Sequence, residues 1–232
     1  MGTWDKISLF KFQEAERIQK ENIEDIDKLL FTVCTVFGFT EYQLDNMKLA
    51  KVNKMSAAVT KIFESEMIPV AVKRMGKYFI AYNPAKLTFG QYVELSFFLQ
   101  MPLINAAHYI LASITNKRFR KNNSAEHKVK ADYFLTQPIT KVVGTVKKFN
   151  ENFIAFNAEY KSLFGVDEEV SGEISNDRFN RRYGWTYSAS CIAEYERITL
   201  EQAYNIPIRQ ALNGLTYLKE KGIYEAAQLK KK

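Results

Sequence analysis

The spacing of apolar residues after Pro138 constrains this chain more than any other feature. Val142, Val146, Phe149, Phe153, Phe156 and Tyr160 recur every three or four residues, which puts them on one helical face. A helix predicted over 139–164 with so long a stripe must be covered by other elements, so it belongs at the centre of a helical assembly. Shorter patterns of the same period surround it. Ser8 is placed to cap a helix with Leu9, Phe12, Ala15 and Ile18 on one face. Asn22 is placed to cap a second, 23–37, with Ile23, Ile26, Leu30, Val33 and Phe37 inward and Gly38 as its stop.

Further along, Thr40 and Gln43 have capping-box spacing before a short helix over 41–46, as do Thr199 and Gln202 before 200–205. A helix over 49–65 carries Val52, Met55, Val59, Ile62 and Phe63. Thr88 opens one over 89–99 and Pro102 another over 103–115. Others are expected over 125–135 and 177–194. Pro207 starts a last one with Ile208, Ala211, Leu212, Leu215 and Leu218 inward, extended by the charged tail 224–232.

One stretch has a different period. Val70 and Val72, then Tyr78, Ile80 and Tyr82, alternate with their neighbours around Met75-Gly76-Lys77. A period of two about a glycine turn predicts a β-hairpin near residues 70–82. A lone hairpin is marginal in water, so it should lie on the helices or pair with a further strand, for which Thr3 to Ile7 is the candidate. The fold class is therefore mainly α (α+β): a multi-helix bundle with one short hairpin. The stretch 165–176, Gly-Val-Asp-Glu-Glu-Val-Ser-Gly-Glu and onward, is acidic and aperiodic and reads as a linker. It divides a helical core with the hairpin (1–165) from a C-terminal helical module or arm (166–232). No internal repeat or low-complexity segment is read.

Chemistry is sparse. The two histidines have no ligand-spaced partner; His108 reads as packed on its helix and His127, in a charged segment, as exposed. Cys34 and Cys191 sit in apolar helical patterns and read as buried thiols of a reducing compartment. No phosphate loop, metal loop or catalytic constellation is present, so no enzyme activity and no cofactor is expected. The N-terminus lacks a signal-peptide pattern, and no apolar run approaches a membrane span.

Partners are the remaining question. With 33 basic and 26 acidic residues, the net charge of +7 favours acidic neighbours or packaged DNA. Lys117, Arg118, Arg120 and Lys121 form the densest basic run, read as a loop over 116–124. Arg178, Arg181 and Arg182 stand among Phe179, Tyr183, Trp185 and Tyr187, a mixture able to hold phosphates and stack on bases, or to be a packed aromatic face with an arginine fringe. Arg118, Arg120, Lys121, Arg178, Arg181 and Arg182 are thus the nucleic-acid candidates. The 17 Phe, 13 Tyr and 2 Trp suit both a core and protein–protein contact; Trp4, Tyr92, Tyr183, Trp185 and Tyr217 are the candidate contact or core anchors.

Three segments carry a resemblance. They are T-W-D-K-I-S-L-F-K-F-Q with the later F-T-V-C-T-V-F-G-F-T-E-Y-Q-L, the hairpin followed by K-L-T-F-G-Q-Y-V-E-L, and Y-G-W-T-Y-S-A-S-C-I-A-E through L-E-Q-A-Y-N-I-P-I-R-Q-A-L-N-G-L-T-Y-L-K-E-K. This layout resembles small proteins among the tail and virion genes of tailed phages, including crAss-like phages of Bacteroides-type hosts. The resemblance implies a non-enzymatic, virion-associated structural protein (tail, neck or cargo component), made in the host cytoplasm. Its partners would be other phage structural proteins or further copies of itself. Alternatives are a tail assembly chaperone that binds the tape-measure protein, or a nucleic-acid-binding virion protein. The family offers no catalytic residues to carry over.

Overall fold

A computed structural model describes residues 3–115, 125–164 and 176–229, with side chains from 182 onward in the last stretch. It is mainly helical, with twelve α-helices and one antiparallel hairpin of two short strands among the described residues. The order is α1 (Leu9–Gln19), α2 (Asp25–Phe37), α3 (Glu41–Asp45), α4 (Leu49–Glu64), β1 (Arg74–Met75), β2 (Tyr78–Phe79), α5 (Phe89–Phe98), α6 (Leu103–Ile114), α7 (Ala125–Leu135), α8 (Ile139–Ala158), α9 (Lys161–Phe164), α10 (Asn176–Glu196), α11 (Leu200–Asn205) and α12 (Ile208–Leu229).

Local chemistry sets most boundaries. Thr40, Thr88 and Thr199 each accept a hydrogen bond from the backbone N–H three residues on, and Gln43, Gln91 and Gln202 each accept one back from the capping residue's N–H. Gly38 ends α2 at φ 76°, a left-handed conformation that suits a residue without Cβ. Helix α2 starts later than its periodicity predicts, with Glu24 as N-cap, and Asp25 and Asp27 in the first turn favour its positive end. Its inward face is also rotated. Thr32, Val33, Cys34 and Val36 are buried, while Ile26 and Phe37 are exposed, because α2 is packed between α1 and α4. The Thr32 hydroxyl satisfies itself by donating to the Lys28 carbonyl at 2.7 Å.

The long central pattern is two helices, not one. α8 ends at Ala158, and a turn at Glu159–Tyr160 precedes α9. The turn serves α12: Arg209 pairs with Glu159 at 2.8 Å, the Tyr160 hydroxyl donates to Asn213 at 3.2 Å, and Lys219 donates to the Ser162 carbonyl at 2.7 Å. The expected inward residues Val142, Val146, Phe149, Phe153, Phe156 and Tyr160 are all buried.

The hairpin is shorter than 70–82. Arg74 pairs with Phe79 and Met75 with Tyr78, around Gly76 and Lys77. Gly76 has φ 54°, at the first central position where a type II′ turn takes glycine. Residues 70–72 lie instead across α8. The Val70 N–H donates to the Thr140 carbonyl at 3.0 Å, and the Val72 N–H to Thr145 Oγ1 at 3.2 Å. Gly144 permits this approach: a Cβ there would lie 2.3 Å from the Val70 nitrogen.

Thr3 to Ile7 does not join the hairpin. Trp4–Lys6 forms a 3-10 turn, and Ile7–Leu9 bridges the start of α8: Leu9 N–H donates to the Gln137 carbonyl at 3.0 Å, and Ile139 N–H to the Ile7 carbonyl at 2.9 Å. The same arrangement occurs again. Pro84–Lys86 forms a 3-10 turn, Phe89 N–H donates to the Ile206 carbonyl and Ile208 N–H to the Leu87 carbonyl, both at 3.0 Å. Helix-starting N–H groups have no partner within their own helix, and here two starts satisfy each other. The sequence echoes this: Lys6-Ile7-Ser8-Leu9 matches Lys86-Leu87-Thr88-Phe89, and Pro138-Ile139 matches Pro207-Ile208. The same pairing of two helix starts therefore occurs twice among the described residues.

One buried cluster runs from Ile7 to Leu212 and includes Ala189, Ile192, Ala203, Ile208 and Ala211 from the C-terminal helices. His127, expected at the surface, is fully buried. It shares one face of α7 with Ala131 and Phe134, which pack on α6, and its Nε2 lies 3.1 Å from Ser113 Oγ.

Candidate interaction surface

The five aromatic candidates separate into anchors and surface. Trp4 is half-buried, packs on Phe12 and Phe63, and donates its indole N–H to the Ser65 carbonyl at 3.1 Å. Tyr92 is 2% exposed, and its hydroxyl donates to Asn157 Oδ1 at 2.9 Å. Burial pushes its phenol pKa upward, so this group stays neutral. Trp185 lies edge-on to Phe89 and Tyr92, tying α10 to α5. Tyr183 and Tyr217 are exposed, Tyr183 beside the Arg182 guanidinium and Tyr217 against Tyr195. Of the basic candidates only Arg182 has a described side chain, and it is exposed. Arg118, Arg120 and Lys121 lie outside the described residues, as do the side chains of Arg178 and Arg181 and all of the predicted linker over 165–176 except Asn176, which belongs to α10.

Among the described residues, reactive groups do not converge. Cys34 is buried, with its thiol pKa raised by burial and then by Glu41 and Asp45, which keeps it protonated. His108 is buried, its Nδ1 has no hydrogen-bond partner among the described residues, and burial lowers its pKa to about 4. It lines a cleft of about 430 Å³ with Gln13, Glu14, Arg17, Lys20 and Asn105. Arg17 there pairs with Glu14 on α1 and with Glu21 just beyond its end. A second cleft, about 300 Å³, lies between Tyr82, Pro84 and the Glu159–Arg209 pair. No group of three or more His, Cys, Asp or Glu is placed to hold a metal among the described residues. No helix among them is long and apolar enough to cross a membrane.

What the surface does offer is apolar contact. From Lys221 onward every described residue of α12 is exposed, with Ile223 at 58% and Leu229 at 73%. Sequence periodicity placed an apolar face on this helix, but not where its cover stops. Phe79, at the hairpin, is a further exposed ring that the period-of-two pattern treated only as a strand position. Comparison of the chain with protein-family models, curated proteins and solved structures gives no match.

Proposed function

We propose that this chain is a non-enzymatic structural or virion-associated protein of a tailed bacteriophage, acting through protein–protein contacts. The observation that carries this reading is the uncovered C-terminal part of α12. About two turns of helix leave the body with Ile223, Tyr224 and Leu229 exposed, and large apolar side chains left uncovered on a helix end gain by docking on a partner. The motif resemblance supplies the phage setting.

The same feature favours a second reading, a tail assembly chaperone. A helix end left bare by its own chain suits reversible capture of a long helical tail protein. Mass spectrometry of purified particles tests the first reading, and absence of the chain from them overturns it. Co-purification with the tape-measure protein from infected cells, combined with that absence, establishes the chaperone. Truncation after Glu220 should abolish whichever association is found while leaving the buried core intact.

A further inference from the structure

We propose that the turn and outer face of the hairpin form a binding surface for single-stranded nucleic acid. This site is separate from α12 and from the arginine-bearing helix α10. Phe79 is 70% exposed, and its cross-strand partner Arg74 holds its guanidinium carbon 4.9 Å from the ring centroid. The turn adds Lys77, whose ammonium lies 5.4 Å from the Tyr78 ring centroid. Lys130 of α7 approaches the same ring at 6.0 Å. Between hairpin and α7 is a cleft of about 450 Å³ lined by Lys77, Tyr78, Val129 and Lys130. Glu126, also in the lining, pairs with Lys130 at 2.8 Å.

The chemistry fits a phosphodiester strand with unpaired bases. Exposed Lys73, Arg74 and Lys77 supply three cations within five residues and no carboxylate. An exposed ring beside such cations is a stacking platform next to phosphate grips. An acidic peptide would use the cations and leave the Phe79 ring without a role. The platform is also held in place. Met75 is buried and Tyr78 packs on Tyr133 and Phe134, with ring centroids 5.1 and 5.4 Å away. The outer face of the hairpin is thereby fixed while its inner face is anchored.

The test is fluorescence anisotropy of the full chain with a labelled oligothymidylate of about 20 nucleotides, titrated from about 50 mM salt. Saturable binding that weakens with salt is expected. Phe79→Ala should weaken it by at least about fivefold with the salt slope unchanged, since stacking carries no counterion. Removing two phosphate contacts with Arg74→Ala/Lys77→Ala should flatten the slope by about 1.4. All three side chains are exposed, but Arg74 Nε also donates to the Gly76 carbonyl at the turn, so Lys77→Ala alone, which should flatten the slope by about 0.7, is measured beside the double variant. Absence of saturable binding, an unchanged affinity in Phe79→Ala, or equal competition by poly-glutamate would each overturn the proposal. None of these outcomes bears on the contacts made by α12.

Discussion

Replacing Gly144 with alanine pits helix propensity against tertiary packing, and the geometry decides which wins. Gly144 lies inside α8, where alanine is favoured over glycine by about 1 kcal/mol. Propensity alone therefore makes Gly144→Ala a stabilising change. Against it stands the segment that crosses the helix at this point. The new Cβ would lie 2.3 Å from the Val70 nitrogen, 2.4 Å from its carbonyl carbon and 2.7 Å from its oxygen. All three are backbone atoms, so no rotamer change relieves the contact, and residues around Val70 must move outward by about 1 Å. That movement strains or breaks the bond from Val70 N–H to the Thr140 carbonyl and loosens the one from Val72 N–H to Thr145. Overpacking costs about 1–3 kcal/mol, and each lost hydrogen bond about 1 kcal/mol more. The net expectation is a loss of about 1–3 kcal/mol, or about 2–10 °C in Tm for a chain of this size.

The assay is urea unfolding of the wild type, Gly144→Ala and Gly222→Ala side by side, with hydrogen exchange followed over residues 66–73. Gly222 is also helical but has nothing within 4 Å of its would-be Cβ, so Gly222→Ala should be neutral or slightly stabilising. Gly144→Ala should lower the midpoint and raise exchange at residues 70–72. A Gly144→Ala protein as stable as Gly222→Ala would show that 70–72 does not lie on α8, and the reasoning would fail.

Other expectations follow from buried groups. His108 should make the fold acid-sensitive: its pKa of about 4 in the folded chain lies below the unfolded value near 6.5, so only the unfolded chain takes up a proton as pH falls between them. Stability is full above about pH 6.5 and declines by up to about 3 kcal/mol by pH 4; His108→Leu should flatten that part of a stability–pH curve relative to wild type, and an unchanged slope counts against burial of the ring. Trp185→Ala, at a site wedged against Phe89 and Tyr92, should cost about 2–4 kcal/mol in chemical denaturation, whereas Tyr217→Ala on the surface should stay within about 1 kcal/mol. Thr88→Ala should cost about 1 kcal/mol through loss of its capping bond to Gln91, measured as a shift in urea midpoint at constant slope.

The fold was most legible where a boundary depends on a few adjacent residues. Thr40, Thr199 and Gly38 act as caps through their own side chain or backbone freedom, and α11 has the bounds its punctuation predicts. Legibility failed where a third element decides. The inward face of α2 is chosen by α1 and α4 together, so Ile26 faces water despite its helical register. His127 sits among charged neighbours in sequence, yet at the spacing of Ala131 and Phe134 it is carried into the contact with α6. The α8–α9 break follows from Glu159 and Tyr160 meeting Arg209 and Asn213, some fifty residues on. At the candidate surface, sequence pointed to aromatic positions, but only placement separates Tyr92 and Trp185, which hold the body together, from Tyr183 and Tyr217, which face outward.

The twice-used bridge shows why even a recurring device can be hidden in sequence. Ser8 and Thr88 stand 80 positions apart, whereas Pro138 and Pro207 stand only 69 apart, so no single offset brings both pairs into register. Each half of the device is an ordinary helix start when read alone: a hydroxyl cap in one strand of the bridge, a proline in the other. Only pairing gives them a common purpose, because each lends its carbonyl to an N–H that the other's helix leaves unsatisfied. The proline is suited to its place because its missing N–H needs no partner there. Two such bridges join α1 to α8 and α5 to α12, linking helices separated by more than a hundred residues. The C-terminal helices are thus bonded through backbone to the centre of the chain, which leaves the far end of α12 as the part of that helix free to meet another molecule.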